Sequence, residues 1–243
     1  MTREMLFALA LGYLLGSIPF GLVLTRLTGK GDIRKIGSGN IGATNVLRTG
    51  SKPLAAATLL LDCLKATAAI LLAEQLWPDT QIYAAAGALI GHLYPVWLGF
   101  RGGKGAATLF GILIALLWQA AIVYAIVWLL VLLTTRISSV AGIAAAISAP
   151  LAALIFHSSL VPLLLGFAVL VLWKHRKNIL RYPARGLSAL GLHRTLDRRC
   201  RVVRFSPKRR PAERRHPCLL SAIADIARIN GPLMCWTRGS AYI

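Results

Sequence analysis

A chain of 243 residues, 56% of them hydrophobic and only 15% charged, with a mean hydropathy of +0.65, excludes a water-soluble globular domain and describes a protein built into a bilayer. Its net charge of +20 is shared evenly: residues 1–181 carry 15 Lys/Arg against 5 Asp/Glu, and residues 182–243 carry 13 against 3. Cys63, Cys200, Cys218 and Cys235 have no metal-ligand spacing among themselves or with histidine, which excludes a Cys/His metal site.

A bilayer crossing takes about 20 predominantly apolar residues. Stretches near that length recur at 5–27, 54–77, 81–100, 106–117, 119–135, 137–156 and 160–173. They predict an all-α, polytopic membrane bundle of about seven spans, or about six if 106–135 is one long tilted helix. The first stretch runs past a signal-peptide core and holds Gly12, Gly16, Pro19 and Gly21, marks of close helix packing or a kink. In SIPFG (residues 17–21), Pro19 removes a backbone donor, so the helix should bend there and release carbonyls.

Next comes KIGSGNIGATNVLR (residues 35–48), with the composition of a phosphate cradle. Gly37, Gly39 and Gly42 permit backbone N–H groups to converge on an anion, Ser38, Asn40, Thr44 and Asn45 add short polar side chains, and Lys35 and Arg48 bracket the segment with positive charge. The second span contains LDCLK, where Asp62 and Lys65 lie on one helix face; ionised groups at this depth should turn inward and pair. The third span ends in GHLYPVWLGFRGGKG, where His92 has the chemistry of a general base but reads first as a hydrogen-bonded packing residue, and Tyr94 and Trp97 as an aromatic belt.

FRGGKGAAT (residues 100–108) is a second loop of the same kind. Arg101 and Lys104 flank Gly102 and Gly103, and Gly105 opens an apolar run whose first amides would favour an anion. Neither loop has Walker A spacing. The spans at 106–117, 119–135 and 137–156 read as scaffold, and the last delivers WKHRKNILR, with His175 and Asn178 on one face.

With seven spans and the N-terminus outside, 13 of the 15 basic residues of 1–181 fall on one side, which the positive-inside rule makes cytoplasmic. Both glycine loops then face the cytosol. Asp32 is the one carboxylate expected on that face outside a span, so no cluster to hold Mg²⁺ or Zn²⁺ is expected and a metal-dependent phosphatase or kinase is disfavoured. Several cations and many backbone donors suit phosphate groups presented at a membrane surface.

Taken together, SIPFG, IGSGNIGATN with Arg48, GHLYPVWLGFRGGKGAAT and HRKNI resemble the bacterial acyl-phosphate-dependent glycerol-3-phosphate acyltransferases over roughly residues 5–181. The resemblance implies a seven-span inner-membrane enzyme with its active site at the cytoplasmic face. It implies transfer of a fatty acyl group from acyl phosphate to the 1-hydroxyl of glycerol-3-phosphate, giving lysophosphatidic acid and phosphate, the first step of phospholipid synthesis. Acyl phosphate is already activated, so no metal, cofactor or protein nucleophile is expected. Carried over position by position, Ser38, Lys104, His175 and Asn178 become the candidate catalytic residues. Arg48 and Arg101, Asn40 and Asn45, and Gly37, Gly39, Gly42, Gly102, Gly103 and Gly105 become candidate substrate and phosphate contacts.

The chain departs from the family pattern after HRKNI, where an expected glutamate is missing and a glycine is displaced to Gly186. The organisation expected is a membrane-embedded domain at 1–181 and a basic tail at 182–243, disordered or an out-of-frame extension. Two rival readings are a membrane transporter of an organic phosphate, built on the Asp62 and Lys65 pair, and a tail that tethers the chain to anionic lipid or nucleic acid. No nucleic-acid partner is expected for the enzyme.

Overall fold

The structure, a computed structural model, describes residues 1–156 and 158–189, with Ser158 and residues 179–189 described by backbone alone. All regular structure among these residues is helical: α1 (Arg3–Gly16), α2 (Phe20–Leu27), α3 (Ala43–Val46), α4 (Lys52–Leu76), α5 (Gln81–Leu93), α6 (Ala106–Leu116), α7 (Trp118–Thr135), α8 (Ser138–Phe156) and α9 (Val161–Ala189). Every apolar stretch read from the sequence carries helix. Four segments are long and apolar enough to cross a bilayer: Arg3–Leu27, Lys52–Leu76, Trp118–Thr135 and Ser138–Phe156.

The expected crossing at 81–100 is shorter than its hydropathy suggests. α5 has 13 residues and α6 has 11, or about 20 and 17 Å at 1.5 Å per residue. Pro95 bars continuation of α5, and Gly99 and Phe100 take positive φ of 57° and 61°. The apolar residues 94–100 therefore form a loop, not the last turns of a span. At Leu117 (φ −157°, ψ 80°) the chain leaves helical geometry, and the Tyr124 hydroxyl donates to Ala106 O at 3.0 Å. That contact requires α7 to double back along α6, so 106–135 is two helices.

The last helix runs past residue 181. α9 continues through residues 182–189, past Pro183 and Gly186. Residues 190–243, on which the rest of the tail reading falls, lie outside the described residues.

Small residues set the packing. A β-carbon at Gly12 or Gly16 of α1 would sit 2.1 or 2.2 Å from Ala84 O or Ala88 O of α5, and one at Gly87 or Gly91 would meet Leu9 O or Tyr13 O at 2.2 or 2.3 Å. The two backbones touch along this seam, the arrangement by which membrane helices gain dispersion contact without a hydrophobic driving force. α6 meets α4 the same way, with Gly111 against Cys63 O and the Thr67 hydroxyl donating to Gly111 O at 2.9 Å. Leu89, Leu93, Leu109, Ile112, Leu113, Leu164 and Val171 fill the centre. Leu60, Leu71, Ile126, Leu130, Leu151 and Ile155 are exposed on the outside, as suits acyl-chain surroundings.

Candidate active site

The Pro19 bend is present and its carbonyls are in use. α1 stops at Gly16 and α2 starts at Phe20. Ser17 O accepts from the Trp97 indole at 2.8 Å, and Ile18 O accepts from Lys65 Nζ at 2.8 Å. Trp97, read as an aromatic-belt residue, thus ties the second loop to the kink. Asp62 and Lys65 pair as expected, at 2.7 Å with side chains 4% and 2% exposed. His92, equally buried, places Nδ1 3.0 Å from Lys65 Nζ.

The first glycine loop is built around Asn45, whose exposure is 1%. Its Nδ2 donates to Ile33 O at 2.8 Å and Ile36 O at 3.1 Å, while its Oδ1 accepts from Ser38 N at 3.2 Å, Ser38 Oγ at 3.3 Å and Arg48 Nη1 at 3.4 Å. Asn45, a candidate substrate contact, is therefore the internal staple of the loop: an amide that can serve a phosphate serves two carbonyls just as well. The Gly39 amide is likewise engaged, by Ile36 O at 3.0 Å. Gly37 takes φ +55°, and a β-carbon there would lie 2.2 Å from Arg48 Nη1, so Arg48 lies across it. Asn40 lies against Gly42, its Nδ2 3.3 Å from where a β-carbon would stand. Ser38 and Arg48 remain exposed.

Asp32 accepts from both Arg26 and Arg34, and the Arg34 guanidinium, followed by Arg26, holds its carboxyl well below the usual carboxylate range. Among the described residues, no three His, Cys, Asp or Glu side chains stand together.

The second glycine loop folds back on α5. Gly102 N donates to Leu93 O at 3.2 Å and Gly103 N to His92 O at 3.0 Å. These two amides, candidate phosphate contacts, satisfy carbonyls at the α5 C-terminus that a helix end leaves without partners. Lys174 Nζ also donates to Leu93 O and sits 3.6 Å from the Tyr94 ring centroid. Burial, and then the charge of Arg176, lower its pKa to about 8. Gly105, at φ +88°, opens α6. The first-turn amides of Ala106, Ala107 and Thr108 have no intrahelical acceptor by the geometry of any helix start, and they make this the anion-favouring end of α6. Lys104 is half-buried beside it, and Arg101 is exposed.

The His175 side chain is 3% exposed, and its Nδ1 donates to Val171 O at 2.8 Å. Burial, and then the charge of Lys104, bring its pKa down to about 4, against the pull of that backbone bond. At neutral pH the ring is uncharged with its proton on Nδ1, so Nε2 carries a lone pair. Asn178, partly exposed, follows one turn later.

The first turns of α8 join these parts. Ser138 Oγ lies 2.9 Å from Thr44 Oγ1 of the first loop. One turn on, about 6 Å along the axis, Gly142 leaves room for its neighbours: a β-carbon there would be 3.5 Å from His175 Nε2 and 3.7 Å from Ala106 Cβ. The first loop, the α6 start with Lys104, and the polar end of the 160–173 stretch thus meet at one end of the bundle. Sequence reasoning singled out neither Ser138 nor Gly142 nor Lys174. A Ser-Ser pair opening a small-residue helix gives no hint of a partner 94 residues away.

A profile of the family described as glycerol-3-phosphate acyltransferase matches residues 6–185. The chain belongs to the glycerol-3-phosphate acyltransferase family. A glycerol-3-phosphate acyltransferase of Mesorhizobium japonicum is 56% identical over 186 residues, covering 76% of this chain and 95% of that protein. One from Brucella anthropi is 55% identical, covering 74% and 90%. The crystal structure of PlsY (YgiH), an integral membrane glycerol 3-phosphate acyltransferase in its glycerol 3-phosphate form, superposes with a TM-score of 0.70 at 36% identity, covering 74% of this chain and 92% of that one. A lysophosphatidic acid form of the same enzyme gives a TM-score of 0.68 at 35% identity.

Proposed function

We propose that this acyltransferase moves a fatty acyl group from acyl phosphate to the 1-hydroxyl of glycerol-3-phosphate, giving lysophosphatidic acid and phosphate, the first step of phospholipid synthesis. The observation that carries the reading is that the first turns of α8 touch the first glycine loop at Thr44 and lie beside both the start of α6 and a buried, neutral histidine with an acceptor lone pair on Nε2. In the reaction, the hydroxyl oxygen bonds to the acyl carbon, the acyl carbon–phosphate oxygen bond breaks, and the departing phosphate takes the hydroxyl proton. Arg48 and Lys104 carry phosphate charge, assisted by Arg101, Asn40, the Gly37, Gly42 and Gly105 backbone and the first amides of α6. Ser38, Asn178 and His175 Nε2 orient the hydroxyl. A pKa of about 4 makes His175 a weak base, suited to accepting a hydrogen bond more than to removing a proton.

The mixed anhydride needs no metal or cofactor. The catalytic unit is residues 1–181, in the bacterial inner membrane with its N-terminus outside and its glycine loops at the cytoplasmic face, as the bias of basic residues favours. Acyl phosphate, acyl carrier protein thioester and acyl-CoA should be compared as donors to glycerol-3-phosphate, using purified protein. Lysophosphatidic acid is expected from acyl phosphate alone. Equal or faster transfer from either thioester would overturn the donor assignment.

A further inference from the structure

Beneath the second glycine loop lies a closed polar unit with no place among the proposed substrate contacts. Lys65, as an ammonium, has three donor hydrogens and no acceptor. Three acceptors surround it: Ile18 O at 2.8 Å, Asp62 Oδ1 at 2.7 Å and His92 Nδ1 at 3.0 Å. His92 Nδ1 must therefore accept, which puts the ring proton on Nε2; Asp62 Oδ1, 3.7 Å from Nδ1, is too far for a competing hydrogen bond. The Nε2 edge of the ring fills the space beside Gly103, where a β-carbon would lie 2.1 Å from Nε2 and 2.6 Å from Cε1. The Gly103 amide in turn bonds to His92 O. Ring and carbonyl of one buried histidine thus hold Gly103 on two sides, and the next residue is Lys104.

We propose that Lys65 and His92 are positioning residues for acyl transfer: Lys65 fixes the His92 ring, and the ring fixes Gly103 and so the place where Lys104 meets phosphate. Asp62 balances the buried charge, and the Pro19 kink supplies the third acceptor. The inference rests on the phosphate role given to Lys104. A misplacement of about 1 Å at a reacting centre costs up to about 100-fold in rate.

The test is a substitution cycle with a spectroscopic control. His92→Asn keeps a side-chain acceptor within reach of Lys65 but empties the space beside Gly103, while Gly103→Ala forces a β-carbon against the ring. Each alone is expected to lower kcat/KM for glycerol-3-phosphate by about 10- to 100-fold, and the double variant to exceed both singles because the methyl then fills the vacated space. In ¹⁵N-histidine spectra of the wild-type protein in detergent, His92 is expected to show an unprotonated Nδ1. A protonated Nδ1, an unchanged kcat/KM in His92→Asn, or losses that multiply in the double variant would overturn the proposal. If wild-type protein transferred nothing from acyl phosphate, the functional reading would fall, while the ¹⁵N result would still decide the ring's orientation.

Discussion

The two glycine loops look alike in composition but are held in opposite ways. The first is locally determined, with Asn45 making five hydrogen bonds to residues 33–48. The second is braced from a distance through residues 93–97, which lead into it: the Tyr13 hydroxyl donates to Tyr94 O at 2.9 Å and accepts from Val96 N at 3.1 Å, Trp97 bonds to Ser17 O, and Lys174 reaches Leu93 O. A loop shaped by one buried amide fails through one residue. A loop shaped by helices responds to changes far from the chemistry, and the contrast can be tested by substitution.

The largest effect is expected where the second loop meets substrate. A charge contact at 4 Å is worth about 4 kcal/mol at an effective dielectric of 20, so Lys104→Ala should lower kcat/KM by up to about a thousandfold in an acyl phosphate assay, with stability unchanged. Asn45→Ala comes next. Removing it takes five hydrogen bonds from the loop, each worth about 0.5–1.5 kcal/mol, while the Ile33 and Ile36 carbonyls keep only the amides of Ile36 and Gly39; activity should drop about 100-fold while hydrogen exchange accelerates in residues 33–48 and not in 94–105. Tyr13→Phe should show the reverse pattern, with faster exchange in 94–105 only and a fewfold rise in KM, as about 1 kcal/mol of hydrogen bonding is lost.

The remaining expected effect is on pH dependence. His175, at about 4 in the folded protein, lies below the ordinary histidine value of about 6.5. Folded chains then bind this proton less readily than unfolded ones. Its contribution to stability is complete above about pH 6.5 and is lost as the pH falls toward about 4. Labelled-histidine NMR should show His175 unchanged between about pH 8 and 5.

Much of the fold was legible because membrane insertion imposes long apolar runs and turns charges inward. The helices and the Asp62–Lys65 pair follow from those two demands, and the Pro19 break from proline's missing backbone donor. Residues 94–100 misled because hydropathy cannot separate the last turns of a span from a loop packed on one; Pro95 and Gly99 held the signal. In the candidate site, residue types were legible and partners were not. Asn45, Gly102 and Gly103 have the donors a phosphate needs, yet carbonyls of Ile33, Leu93 and His92 take them, and nothing local in the sequence distinguishes the two acceptors. The Thr44–Ser138 and Gly142–His175 approaches join segments far apart in the chain and became visible only in the folded bundle.

The central claim is that the first glycine loop and the α6, α8 and α9 ends assemble a single site. Thr44 and Ser138, whose hydroxyl oxygens are 2.9 Å apart, offer the most direct measurement. With the four native cysteines replaced, a Thr44→Cys/Ser138→Cys protein should form an intramolecular disulfide under mild oxidation, and its acyl transfer should fall on oxidation, return on reduction, and be protected by glycerol-3-phosphate. A pair that stayed reduced, or that cross-linked only between molecules, would contradict the assembly.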